Sequence, residues 1–234
     1  MELLSSAVFF VEVTKPDGSL DIGSAFHIGN GYCVTARHVL EGNTVRTVGR
    51  RDTSLKTHFT TTGTTHTTTH CDFTHRAIEG VFHHADDKVD VSIFRLGGTI
   101  QIGLGYSAAR LQPAIPLDRH ADQLTEGEFL LKEVVVLGYP KIPWADVHLV
   151  VFRGDVSAII ESHQDHQRHF VVSGMARGGF SGGPIIASET NTVLGIVTDS
   201  LVHNDQVTEL GFLNAVSIQA ARDIITASNL SVKV

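Results

Sequence analysis

The chain has 234 residues, of which 42% are hydrophobic and 18% charged, and its formal net charge is −7. These values are ordinary for a globular protein with a sizeable core. The net negative charge and the lack of a long basic run disfavour a nucleic-acid partner, since phosphate binding needs clustered Lys and Arg. No apolar run has the length needed to cross a bilayer, which disfavours a membrane partner.

The start of the chain favours a cytoplasmic location. Residues 1–4 carry no positive charge, and Glu12 interrupts the apolar run Ala7–Val13, so this segment makes a poor signal peptide. We interpret it as the first β-strand. Cys33 and Cys71 are the only cysteines, and we expect two unpaired thiols in a reducing compartment.

Short β-rich runs recur along the chain and are separated by Gly, Asn, Asp and Pro. This pattern favours a barrel or sandwich over βαβ units. After the first strand, the predicted strands are Ser24–Ile28, Tyr32–Ala36, Val91–Leu96, Val134–Leu137, Leu149–Phe152, Phe170–Ser173, Ile185–Ala187 and Val193–Thr198. Residues 57–75 are rich in Thr and His and suggest a hairpin, and residues 97–127 suggest a long connection between two halves.

One helix is predicted, at the end of the chain. Ser217 is the expected N-cap, and apolar residues follow it at helical spacing. They are Ile218, Ala221, Ile224 and Ile225.

A glycine-rich segment around Ser181, from Gly178 to Pro184, carries the strongest chemical signal. A serine nucleophile needs a base to remove its proton and donors aimed at the oxyanion that forms when it attacks a carbonyl. Glycines before the serine let backbone N–H groups face that oxygen without a side chain in the way. The alternative is a plain glycine-rich turn.

His38 and Asp90 are the candidate partners of Ser181. His38 ends a β-run of small residues, and a His can take and return a proton at neutral pH. Asp90 heads an apolar strand, where a partly buried carboxylate can orient a His. Taken alone, either residue could be an ordinary surface residue, since the chain has 14 histidines and Asp90 has polar neighbours.

Together, in the order His, Asp, Ser, these residues resemble the trypsin-like, chymotrypsin-fold serine peptidases, and among them the bacterial HtrA-like peptidases. The resemblance covers nearly the whole chain. The matching segments are Gly23–Phe26, Thr35–His38, Asp90–Ile93, Leu137–Pro140, Gly179–Pro184, Gly195–Val197 and Gly211–Asn214.

The resemblance implies an all-β fold of two packed six-stranded antiparallel barrels, spanning residues 1–117 and 118–234, with a C-terminal helix. It implies that Ser181 attacks the peptide carbonyl, that His38 is the general base and acid, and that Asp90 orients His38. The N–H groups of Gly179 and Ser181 would form the oxyanion hole. The expected activity is endopeptidase cleavage of protein or peptide substrates, without a cofactor.

The sequence departs from the digestive members of this family at two informative positions. Phe180 stands where they have an Asp that captures a newly cut N-terminus, so activation by N-terminal cleavage is not expected. Val39 stands where they have a Cys, which removes a disulfide. No PDZ-like extension is expected.

By position in the family motif, the S1 pocket should have Met175 at its floor and walls from Ala176, Thr198, Asp199, Ser200 and Gly211. No carboxylate occupies the floor position, which favours an apolar P1 residue. Asp199 beside the wall would invite a basic residue if it turned inward.

Two further alternatives stay open. His58, His66, His70, His75 and Cys71 could bind zinc, but their spacing is not a strong zinc signature, and we expect no metal site. The chain could also be an inactive peptide-binding module on a protease fold, or a peptidase that a regulatory protein partner activates by remodelling the loop 176–180.

Overall fold

The structure is a computed structural model that describes residues 2–50, 77–97, 113–119, 121, 126–174, 178–203 and 206–232. The predicted all-β architecture of two six-stranded antiparallel units is confirmed. Among the described residues, no helix combines the length and the apolar character needed to span a membrane.

The first unit is a sheet with strand order β4-β1-β2-β3-β6-β5. In the register of this sheet, Phe9 pairs with Ala25 and Cys33 pairs with Phe94. Its strands are β1 (Val8–Thr14), β2 (Leu20–Gly29), β3 (Tyr32–Thr35), β4 (Thr44–Gly49), β5 (Ala77–His83) and β6 (Ser92–Gly97).

The second unit is a closed barrel with strand order β10-β11-β12-β9-β8-β7, in which Ile185 of β10 pairs with Val136 of β7. The first unit differs from the predicted closed barrel, because β4 and β5 form its edges in the described part of the chain. The strands of the barrel are β7 (Glu133–Gly138), β8 (Val150–Glu161), β9 (Arg168–Ser173), β10 (Pro184–Ala187), β11 (Val193–His203) and β12 (Gln206–Ser217).

Strand β1 explains why the N-terminal apolar run is almost continuous. Phe9 and Val11 point into a core within the first sheet, whereas Val8 and Phe10 join the core shared with the barrel. The Phe10 ring meets the Tyr139 ring edge-on at 5.6 Å, and the Tyr139 hydroxyl donates to the Val8 carbonyl at 3.3 Å. The two units therefore pack through a common apolar core.

The described helices are α1 (Glu2–Ser5), α2 (Arg37–Leu40), α3 (Glu126–Phe129) and α4 (Gln219–Ala227). Helix α4 is the predicted C-terminal helix, and it begins one position later than expected. Ile218 is its N-cap, with helical backbone angles, while the Ser217 hydroxyl accepts the Gln219 N–H at 3.2 Å.

Part of the predicted long connection is described. The Ile115 N–H donates to the His27 carbonyl of β2, and the Asp118 N–H donates to the Val193 carbonyl of β11, both at 2.9 Å. This segment therefore contacts both units. The exact division at residues 117 and 118 stays a prediction. The predicted hairpin at 57–75 lies outside the described residues.

Candidate active site

His38 lies on the short helix α2, directly after β3. The next two side chains, Val39 and Leu40, are buried, which anchors the turn and leaves the His38 ring half-exposed. Asp90 lies two residues before β6, between the buried Val89 and Val91. The strand pair β3–β6 therefore brings together two residues that are far apart in sequence.

Asp90 holds His38 with both carboxylate oxygens. Oδ1 accepts the backbone N–H of His38 at 2.8 Å, and Oδ2 lies 2.7 Å from Nδ1 of the ring. A carboxylate can only accept, so this contact places a proton on Nδ1 and leaves the lone pair of a neutral ring on Nε2. The arrangement prepares Nε2 to accept a proton.

Opposing effects set the pKa of His38. Partial burial of the ring lowers it, whereas the hydrogen bond and negative charge of Asp90 raise it, with further increases from the charges of Asp199 and Asp21. The result is a pKa above the ordinary value of 6.5. The surrounding carboxylates thus stabilise the imidazolium that forms when His38 takes a proton.

Ser181 lies in a loop before β10, and hydrogen bonds hold several carbonyl groups of this loop. The Gly178 carbonyl accepts the Lys141 N–H at 3.3 Å, the Phe180 carbonyl accepts the Gly183 N–H at 2.8 Å, and the Ser181 carbonyl accepts the Ser24 N–H at 2.8 Å. A trans peptide directs its N–H away from its carbonyl. The N–H groups of Gly179 and Ser181 therefore point away from these anchoring contacts.

The backbone angle at position 179 and the lack of space around it both require a glycine. Its φ is +109°, and a Cβ at this position would lie 2.4 Å from the Tyr139 carbonyl oxygen and 2.7 Å from Cα of Pro140. An L side chain rarely adopts such a φ, and the neighbouring backbone leaves no room for one. The glycine thus lets the loop pass close to the end of β7 with its N–H turned outward.

His38, Gly179 and Ser181 line one cavity between the sheet and the barrel. The Ser181 hydroxyl lies 3.5 Å from the Thr198 carbonyl, a long contact and its one hydrogen bond within the described part of the chain. The cavity is therefore lined by a serine, by a histidine whose Nε2 is free of the Asp90 contact, and by Gly179.

A family model described as Trypsin-like peptidase domain matches residues 23–196, which is more than half of the chain. The chain belongs to the trypsin-like peptidase family. It is therefore a serine endopeptidase in class, and the resemblance seen in the sequence is confirmed. No curated protein sequence shows a significant match.

Solved structures share the fold of this peptidase. The active form of the Rv3671c protease from M. tuberculosis is 14% identical with a TM-score of 0.61, over 100% of this chain and 84% of that chain. Its inactive form is 14% identical with a TM-score of 0.58, over 97% of this chain and 90% of that chain. The serine endoprotease from Yersinia pestis is 17% identical with a TM-score of 0.60, over 97% of this chain and 64% of that chain.

The predicted walls of the S1 pocket lie on adjacent strands of the peptidase. Thr198 is buried on β11, and Asp199 beside it is exposed. On β12, the Gly211 carbonyl accepts the Gly174 N–H at 3.0 Å. Ser200 is placed as part of β11 without a described side chain. Met175, the predicted floor, and Ala176, a predicted wall, lie outside the described residues, so the S1 pocket stays a prediction.

Ser24 on β2 is a residue whose function the sequence did not reveal. Its hydroxyl donates to the Gly179 carbonyl at 2.6 Å and accepts the Tyr139 N–H at 2.9 Å, and its side chain is fully buried. Its backbone also contacts Ser181, as described above. Ser24 therefore fixes the nucleophile loop of the barrel onto the first sheet, through contacts that join residues distant in sequence.

The five residues weighed as zinc ligands, His58, His66, His70, Cys71 and His75, lie outside the described residues. Within the described part of the chain, no group of three or more His, Cys, Asp or Glu side chains is placed to hold a metal ion.

Proposed function

We propose that the peptidase cleaves internal peptide bonds through an acyl-enzyme on Ser181, with His38 as general base and acid and Asp90 as the residue that orients His38. The observation that carries this proposal is the double contact of Asp90 with His38, a residue that lines one cavity with Ser181. It leaves Nε2 of His38 as the proton acceptor.

In the proposed reaction, the Ser181 Oγ attacks the carbonyl carbon while its proton passes to Nε2 of His38. The N–H groups of Gly179 and Ser181 stabilise the oxyanion, and loss of one such donor typically costs about 3–4 kcal/mol. The C–N bond then breaks as His38 returns the proton to the leaving amine. Water, activated by His38, releases the acyl group from Ser181.

Labelling with a fluorophosphonate probe tests the proposal, because the probe reacts only with an activated serine. We expect labelling of the native peptidase and none of Ser181→Ala or His38→Ala, with circular dichroism showing that both variants fold. A matched control is His148→Ala, which removes an exposed His outside the cavity. Labelling of Ser181→Ala equal to the native level would contradict the assignment.

An apolar P1 preference is part of the proposal. It is supported by the sequence, in which no carboxylate occupies the predicted floor position Met175. A peptide panel that varies P1 alone tests it. We expect faster cleavage after Leu, Met, Val or Phe than after Arg or Lys. Cleavage after Arg and Lys alone would contradict this preference.

A partner-gated or inactive peptide-binding form is the second candidate. The contact of the Ser181 hydroxyl with the Thr198 carbonyl, instead of with the His38 ring, favours it. A well-folded native chain that the probe does not label would support this alternative. Hydrogen bonds between nucleophile and base are often long before substrate binds, so we rank it second. A cytoplasmic location and a regulatory partner also stay predictions.

A further inference from the structure

A charged wall lies beside the proposed nucleophile. The cavity that holds His38 and Ser181 measures about 140 Å³ and extends to the hairpin between β1 and β2, where Lys15 and Asp21 line it. Asp21 acts on the mechanism above only through its charge, which raises the pKa of His38, and Lys15 takes no part in it. Lys15 can therefore serve substrate recognition.

Lys15 and Asp21 line the cavity, and Lys141, which does not line it, adds a second positive charge beside Asp21. The negative charge of Asp17 also acts on Lys15. Asp21 is bound by two ammonium groups, with Lys15 Nζ 2.6 Å from Oδ2 and Lys141 Nζ 3.0 Å from Oδ1. Partial burial alone would raise the pKa of Asp21, but hydrogen bonds from both lysines lower it to about 2. The carboxylate is thus fully ionised at neutral pH and is shared by two cations.

Both ammonium groups can still bind an incoming acceptor. The side chains of Lys15 and Lys141 are 45% and 60% exposed. An ammonium has three N–H donors. Lys141 uses donors on Asp21 and on the Leu20 carbonyl, at 3.0 Å, and Lys15 uses one on Asp21. A second carboxylate would complete an alternating group of two cations and two anions.

The position of this wall fixes which part of a substrate would meet it. His38 must pass its proton to the leaving amine, so the leaving segment lies on the His38 side of Ser181. The charged hairpin adjoins His38 in the same cavity, whereas Thr198 and Gly211 of the predicted S1 pocket do not line that cavity. Lys15 therefore faces the residues that follow the scissile bond.

We propose that Lys15, with Lys141 and Asp21, forms a subsite for an acidic side chain at the first or second position after the scissile bond. This inference rests on the proposed function, since the direction of the substrate follows from the role of His38. A Glu or Asp side chain gains an ion pair there, and a Lys or Arg side chain is repelled.

Matched peptides test the subsite. They differ only by Glu, Gln or Lys at P1′ or P2′ and carry a C-terminal amide, so that no terminal carboxylate competes. For the native peptidase, we expect kcat/KM to be about two- to fivefold higher with Glu than with Gln, the range of an exposed ion pair. This ratio should fall towards one in high salt, which screens exposed charges.

Variants of Lys15 identify the cause of the preference. Lys15→Gln should bring the Glu-to-Gln ratio close to one, and Lys15→Glu should invert the order so that Lys is preferred. The control Lys132→Gln removes the same charge from a side chain that lies over the Phe129 ring in the barrel unit. It should leave the ratio at the native value.

Binding to Ser181→Ala separates failure of the subsite from failure of the proposed chemistry. Fluorescence anisotropy of the same peptides on this variant needs no turnover. A Glu preference that Lys15→Gln removes would support the subsite even if the native chain were not labelled by the probe. Equal affinities and equal kcat/KM values for Glu and Gln at both positions would overturn the inference while leaving the proposed triad intact.

Discussion

Replacement of Ser24 by Ala tests how the first sheet controls the nucleophile loop. The change removes one buried oxygen and leaves the Gly179 carbonyl and the Tyr139 N–H without their hydrogen-bond partner. The Ser24 backbone contact with the Ser181 carbonyl does not depend on the side chain and remains. The perturbation is therefore confined to two buried groups.

The expected loss of stability follows from those two groups. A buried donor or acceptor left without a partner costs about 1–3 kcal/mol. Two of them predict a decrease of about 2–6 kcal/mol in the free energy of unfolding, a range whose upper part is exceptional for a single substitution. With a urea slope of about 2 kcal/mol per molar, the midpoint should fall by about 1–3 M without a change in slope.

The same substitution should slow catalysis. Release of the Gly179 carbonyl should loosen the loop whose Gly179 and Ser181 N–H groups are proposed to bind the oxyanion. Both donors remain, so the loss should be smaller than the about 100- to 1000-fold decrease seen when a donor is removed. We expect kcat and kcat/KM to fall together by about tenfold, because the oxyanion exists only in the transition state.

Ser157→Ala is the matched control for Ser24→Ala. The Ser157 side chain is exposed on β8 and contacts only the Asp155 carbonyl, at 3.3 Å, within the described residues. It should change the free energy of unfolding by less than about 0.5 kcal/mol. The reasoning is refuted if Ser24→Ala behaves like this control in both urea unfolding and kcat.

Two further predictions concern His38 and the two glycines Gly178 and Gly179. Cleavage requires neutral His38, so activity falls as pH decreases through the raised pKa of His38. Asp199→Asn removes a charge that raises this pKa, and it should move the acid limb of the kcat/KM profile to lower pH. A shift of the acid limb to higher pH would contradict the prediction. Gly179→Ala should abolish probe labelling of a folded protein. Gly178→Ala should lose much less, because its added Cβ meets no described atom within 4 Å, and equal labelling of the two would contradict the steric argument.

Much of the fold was predictable from apolar patterning. The first strand and the nine-residue helix α4 appear within one residue of their predicted positions, because their buried residues are frequent and regularly spaced. Strand β5 was missed because it lies at a sheet edge and most of its side chains are exposed, which leaves little alternation to detect.

The length of β8 was also underestimated. Leu149–Phe152 was predicted, whereas the strand runs from Val150 to Glu161. Gly154 and Asp155 resemble a turn in sequence. In the structure, a Cβ at Gly154 would lie 2.1 Å from the Ser173 carbonyl oxygen, so the glycine marks a close approach of neighbouring strands. A local sequence pattern does not distinguish a glycine that forms a turn from a glycine that allows two strands to approach closely.

Part of the candidate site could also be predicted from the sequence, and part could not. His38, Asp90 and Ser181 were singled out from sequence because each stands in a local motif. The structure places His38 and Ser181 on one cavity and Asp90 in contact with His38, and their catalytic roles stay proposals. Ser24 could not be assigned a role, because its partner Gly179 lies 155 positions away. Only the packing of sheet against barrel gives its hydroxyl a function.

Strand β2 links these observations. Ser24 binds the loop that carries Ser181 directly, through the Gly179 carbonyl. Asp21, three positions earlier on the same strand, pairs with the ammonium of Lys141. The backbone N–H of Lys141 in turn donates to the Gly178 carbonyl of that loop. A substrate carboxylate that binds Lys15 and Lys141 would therefore contact a residue that positions the oxyanion loop. If the proposed subsite binds an acidic residue, Lys141 would couple that recognition to the geometry at Ser181, so an acidic residue there should raise kcat as well as lower KM.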